Sequence, residues 1–158
     1  MHLYLVRHAT AEARDAGWDD AERPLTLEGV ERFDRVVKGL RALRVELDAV
    51  LHSPWRRAVE TAHRLTPLMV QGQRRETDAL AAPPGEGLLE AIAGQRAALV
   101  GHEPWMGELL AWLVAGDRFL GPSFMFKKGG VAWLEGEPLP GRCTLRALWT
   151  PRSLREAA

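Results

Sequence analysis

"LYLVRHATAE", residues 3–12, runs an apolar tetrapeptide straight into an arginine and a histidine, and the reading of that junction decides the architecture. Leu3, Tyr4, Leu5 and Val6 form the short apolar run expected of an interior strand covered on both faces, as in α/β proteins. Outward from it, Thr26 precedes "LEGVERFDRVVKGLRAL", where Val30, Phe33, Val37, Leu40 and Leu43 recur at helical spacing, so a long helix capped by Thr26 is expected. "DAVLHSP" reads as a second strand ending at Ser53, with Ser-Pro opening a helix over residues 54–66. Beyond the "APPGEG" turn, "LLEAIAG" reads as a short helix, "RAALVG" as a buried strand and "HEPW" at 102–105 as the start of a helix to about Val114. "GGVAWLE" from 129 and "CTLRALW" from 143 read as a hairpin, and the final "REAA" as a frayed end. Strands alternating with helices predict an α/β fold, a three-layer α/β/α sandwich around a mostly parallel central sheet.

Bulk composition narrows the function. At 158 residues and 46% hydrophobic content the chain suits one buried core, so residues 1–158 are expected to form a single domain. Basic and acidic residues balance at 21 each, which removes the electrostatic case for nucleic acid or an anionic membrane as partner. No apolar run approaches the roughly 18 residues that span a bilayer. The single Cys143 cannot form an internal disulfide, and Arg7 interrupts any signal-like start, so a cytoplasmic location is expected.

In open α/β sheets the ligand crevice lies beyond the carboxyl ends of the strands. Three segments put charge or imidazole there: Arg7-His8 after "LYLV", "SPWRRA" after "AVLH", and Gly101-His102 after "RAALV". Each has a bland explanation alone, as a solvated loop residue or a helix cap. Together they would bring arginines, two imidazoles and two helix N-termini to one spot, which suits a tetrahedral dianion such as a phosphoryl group.

"LVRHATAE", "RPLTLEG", "SPWRRAVET" and "LVGHEPW" resemble, in order and spacing, the motifs of the histidine phosphatase superfamily, once called the phosphoglycerate mutase-like family. The variant "RHA" with "RPLT" in a short chain is most similar to the SixA-type phosphohistidine phosphatases, and the resemblance runs from residue 3 to about 149. It implies a phosphoglycerate mutase-like fold, His8 as the nucleophile that takes up the phosphoryl group, and Arg7, Arg57 and His102 around its oxygens. It also implies a phosphorylated protein or small phosphorylated molecule as substrate, and no cofactor. Chemistry agrees: a neutral imidazole is a capable nucleophile near neutral pH, and guanidinium forks match phosphoryl oxygens. "HEPWM" is not a zinc motif, since Met106 stands where a second histidine would, so no metal is expected.

The family pattern S-P-x-x-R-A-x-x-T selects Arg57 over Arg56. Ala58, Ala62 and Leu65 share one apolar face, while Arg56 precedes Glu60 by four residues, as a solvated pair would. His2, His52 and His63 match no motif position and are read as structural. Trp55 and Trp105 could wall the pocket, but packing in the core or an interface is the favoured reading. Larger members carry a glutamate that protonates the leaving oxygen; "TDALAAPPGEGLL" offers only Asp78 and Glu86, neither at the family position. Asp20, in "DDAERPLT", is the carboxylate named as a possible substrate-binding or proton-donating substitute, with a solvated loop acid as its plain alternative. The function expected is metal-independent phosphatase action through a phosphohistidine intermediate on His8, most simply on protein phosphohistidine. The alternatives are a small-molecule phosphomonoesterase of the same superfamily or a non-catalytic phosphate-binding regulator.

Overall fold

The computed structural model describes residues 1–158. Its strands are β1 (His2–Arg7), β2 (Ala49–His52), β3 (Arg74–Glu76), β4 (Arg96–Gly101), β5 (Val131–Gly136) and β6 (Cys143–Trp149). They form one sheet in the order β3-β2-β4-β1-β5-β6. The first four are parallel, and the β5–β6 hairpin adds antiparallel to the free side of β1. Helices α1 (Leu27–Ala42), α2 (Arg56–Arg64), α3 (Glu86–Ala91), α4 (Trp105–Ala115) and α5 (Pro151–Ala157) cover both faces.

Alternation along the strands divides the core in two. Tyr4 and Val6 of β1, with Ala98 and Val100 of β4, pack against Phe33, Ala58 and Leu154 of α1, α2 and α5. Leu3 and Leu5, with Ala97 and Leu99, pack against Leu89 of α3 and Leu109, Leu110 and Leu113 of α4. Thr26 caps α1 as its sequence indicates, its hydroxyl accepting from the Gly29 N–H at 2.9 Å. No helix is long and apolar enough to cross a membrane.

The structure corrects several boundaries. The C-terminus is not frayed: Thr150 caps α5 by accepting from the Ser153 N–H, Pro151 opens it, and Leu154 is fully buried against α1. Gly39 makes that approach possible, because a Cβ there would collide with the Leu154 carbonyl. β3 is a polar edge strand whose three side chains are all exposed, so no apolar pattern announces it. α2 begins at Arg56 because Trp55, at ψ 136°, is still extended and stands as its N-cap; the Ser53 hydroxyl accepts from the Trp55 N–H at 3.1 Å and also contacts His102. α4 likewise starts at Trp105 rather than His102, and α3 ends at Ala91 rather than Gly94. β5 starts at Val131 because Gly129, at φ +77°, folds back to donate to the carbonyls of Arg7 and His8 at 3.0 and 3.1 Å.

Leu154→Ala is expected to lower the unfolding free energy by about 3 kcal/mol, the scale for truncating a fully buried leucine. Urea denaturation measures it, and a frayed tail would give no change.

Candidate functional site

The carboxyl ends of β1, β2 and β4 meet at a cavity of about 500 Å³. His8 directly follows β1, and its backbone N–H, donating to the Gly101 carbonyl at 3.0 Å, prolongs the β1–β4 pairing by one residue. Ser53, after β2, donates its N–H to Val100 at 3.1 Å, and His102 follows β4. The sheet therefore sets His8, Ser53 and His102 side by side before any side chain chooses a rotamer.

A chain of hydrogen bonds fixes His8. Thr61 Oγ1 donates to the Arg57 carbonyl one turn back in α2, at 2.7 Å, and accepts from the Ala9 N–H at 3.0 Å. The Ala9 carbonyl accepts from His8 Nδ1 at 2.7 Å. With the proton on Nδ1, the lone pair sits on Nε2, which has no protein partner. The His8 and His102 rings lie 5.2 Å apart, and His102 Nε2 shares a 2.7 Å hydrogen bond with the Ser53 hydroxyl.

Both arginines are held by backbone carbonyls. Arg7 Nη1 donates to Phe126 at 2.9 Å, and Glu103 secures that loop by accepting from the N–H groups of Gly107 and Phe126 at 2.6 and 2.8 Å. Arg57 Nη1 donates to the Asp20 carbonyl at 2.6 Å and Nη2 approaches its carboxylate at 3.4 Å, with the guanidinium 4.9 Å from the Trp55 ring centre. Asp20 also takes Arg23 in a two-pronged contact at 3.0 and 2.9 Å, and Arg23 Nη1 donates to the Glu12 carbonyl. Three nitrogens, Nε of Arg7, Nε of Arg57 and Nδ1 of His102, are buried without a partner. All three belong to residues that line this cavity, so the buried side-chain atoms left without a partner cluster around it.

Electrostatics follow from that burial. Desolvation, reinforced by His102 and the arginines and opposed by the Ala9 hydrogen bond, pushes His8 down to about 3. His102 falls to about 3 through burial and then Arg57. Both rings are therefore neutral at neutral pH, while the guanidinium groups, although lowered by burial, stay charged. Burial alone would lift the Asp20 carboxyl, but Arg57 and Arg23 outweigh it and hold the group below the usual carboxylate range. Five cations line the cavity against three carboxylates, Glu12, Asp20 and Glu103. No cluster of three or more His, Cys, Asp or Glu side chains could hold a metal ion.

The structure thus brings together Arg7, His8, Arg57, His102 and Asp20. Asp20 lies there as the partner of two arginines rather than as a free acid. Arg56 pairs with Glu60 at 3.3 Å and lies 5.5 Å from the Trp18 ring centre, outside the cavity. His2 accepts from Trp133 Nε1, His52 Nδ1 donates to the Ser53 carbonyl, and His63 is exposed. The packing reading of Trp55 and Trp105 needs correction: both are half-buried and wall the cavity, with ring centres 5.7 Å apart. Sequence reasoning missed Arg23, 7% exposed, and the orienting roles of Thr61 and Glu103. The "RPLT", "SPWRRAVET" and "HEPW" motifs were the available signals.

Residues 3–81 match the model of the histidine phosphatase superfamily, branch 1. An uncharacterized protein of Picosynechococcus sp. is 30% identical over 141 residues, covering 85% of this chain and 84% of that one. Phosphohistidine phosphatase SixA of Escherichia coli is 30% identical over 125 residues, covering 74% and 76%. Among solved structures, the protein histidine phosphatase SixA complexed with tungstate superposes with a TM-score of 0.78 at 27% identity, over 98% of this chain and 99% of that one.

The depressed imidazoles make stability depend on pH. Their folded values lie below the ordinary 6.5, so the unfolded chain takes up protons first. Stability from these groups is complete above about pH 6.5 and drains away as pH falls towards about 3. Denaturation followed across that window should show the slope, and His8→Gln should reduce it. In the ligand-free protein, the ring resonances of His8 and His102 should stay unprotonated at pH 5 by NMR.

Proposed function

Because the chain belongs to the histidine phosphatase superfamily, branch 1, we propose that it is a metal-independent phosphatase that removes phosphoryl groups from protein phosphohistidine through an intermediate on His8. The observation that carries this reading is the fixed tautomer of His8: Nδ1 is committed to the Ala9 carbonyl and Nε2 is left with a lone pair inside a ring of cations. Nε2 attacks phosphorus and the bond from phosphorus to the substrate's imidazole breaks. Water then attacks the phosphorylated His8, releasing inorganic phosphate and restoring the neutral ring. Arg7, Arg57 and His102 surround the transferring oxygens, where charge stabilisation is most of what phosphoryl transfer requires. A solved relative holds tungstate, a tetrahedral oxyanion of the same kind, which supports an anion site among these cations.

The placement of the carboxylates supports a phosphohistidine substrate. Glu103 is occupied by two backbone N–H groups and Asp20 by two arginines, leaving Glu12 as the lining carboxylate without a hydrogen bond or ion pair. An alkyl ester needs a proton on its leaving oxygen, whereas a leaving imidazole can take its proton from water. Asp20 is assigned the orientation of Arg57 in the anion site rather than proton donation. A cytoplasmic location belongs to the same proposal, which needs no cofactor.

His8→Ala is expected to abolish turnover while vanadate binding stays detectable, and brief exposure to labelled phosphodonor with an alkaline quench should trap a phosphoenzyme only in the parent protein. Arg57→Ala should lower kcat/KM by roughly 10²- to 10³-fold, the scale for losing one transition-state donor, and Arg56→Ala should change little. Across a series of aryl phosphates, kcat/KM should fall steeply as the leaving phenol becomes more basic. The dependence should be the same in Asp20→Asn and Glu12→Gln; a shallow dependence that steepens in either variant would identify that residue as a proton donor.

A further inference from the structure

Beside the active site lies a second depression, of about 470 Å³, between α1, the loop before β5 and the start of α5. Its walls carry Arg32, Lys127, Lys128, Arg152 and Arg155 and no carboxylate. In a chain whose charges balance overall, that is a local excess the fold does not need. Clustered like charges repel one another at separations comparable to the Debye length, so grouping them costs stability and calls for an external partner. Arg32 and Arg152 are answered by Glu28 at 2.6 Å and Glu156 at 2.9 Å, within their own helices. Lys127, Lys128 and Arg155 make no ion pair.

Lys128 also lines the active-site cavity, so the two depressions adjoin. Its ammonium is lowered by burial and then by Arg7, Arg23, Arg14 and Arg57. A carboxylate reaching it would relieve that repulsion. The groove's cations are solvent-facing, four of the five exposed, and no partnerless buried nitrogen lies among them. A compact oxyanion is gripped by convergent, desolvated donors; a spread of exposed cations on separate elements instead matches several carboxylates carried along a polypeptide.

We propose that this groove seats an acidic segment of the phosphorylated protein whose phosphohistidine enters the neighbouring site, with Lys127 and Arg155 as its principal contacts and Lys128 at the junction. The proposal rests on the phosphohistidine reading above and adds what the substrate carries next to its phosphorylated residue.

The test uses phosphoimidazole and two phosphohistidine peptides, one with aspartate and glutamate flanks and one with serine and glutamine in their place. The parent protein should favour the acidic peptide in kcat/KM by roughly tenfold, through KM, and added salt should shrink the preference. Lys127→Glu with Arg155→Glu should reverse the preference and leave phosphoimidazole turnover unchanged; Lys127→Gln with Arg155→Gln should erase it and serves if the reversed variant does not fold. Hydrolysis of phosphoimidazole and of both peptides with no acidic preference overturns the groove assignment alone. Failure to hydrolyse any of the three overturns the phosphohistidine reading and the groove with it.

Discussion

Everything at the carboxyl edge of this sheet depends on removing two guanidinium groups from water without neutralising them. Arg57 is 3% exposed, and taking such a charge out of solvent is costly unless it is hydrogen-bonded. The neighbouring imidazoles lose their own hydration on burial and are further repelled by these cations, so they are driven neutral, while the arginines hold the Asp20 carboxyl ionised. A lone pair on a neutral ring within a cationic enclosure is thus the outcome of one desolvation problem, not of separately tuned residues.

Rigid scaffolding solves that problem cheaply. Carbonyls of Phe126 and Asp20 receive the guanidinium hydrogens, and each carbonyl is itself positioned by a charged side chain, Glu103 for the first and Arg23 for the second. The imidazole of His8 is aimed in the same indirect way, through Thr61 and the intervening Ala9 peptide. Residues with no contact to a reacting atom therefore set geometry at which small displacements matter.

The sheet and the main site residues were legible because their signals are local. Leu3–Val6 is apolar on both faces, and Arg57 carries its alanine and threonine at fixed distances along one helix. What escaped the reading is defined by tertiary contacts. Arg23 precedes a proline in a polar loop, and only the Glu12 carbonyl and Asp20 explain its burial. β3 exists through backbone pairing with β2 alone. Ser53 was legible as a polar residue before Pro54, but its use by His102 requires β2 and β4 to be neighbours, which no window of sequence contains. In α5, an unread cap at Thr150 and a single buried leucine separate a docked helix from a loose end.

The pairing of β1 with β4 also governs how the protein is born. His2–Arg7 must wait for Arg96–Gly101, and then for Val131–Gly136, before it has a neighbour on either side. Loop-closure entropy over such separations makes these pairings late events compared with helix formation. His8 and His102 acquire their relation only when β1 and β4 zip, so no emerging fragment that stops short of β4 and His102 contains the cavity. Regain of anion binding during refolding consequently reports closure of the sheet, whereas far-ultraviolet circular dichroism reports the helices that precede it.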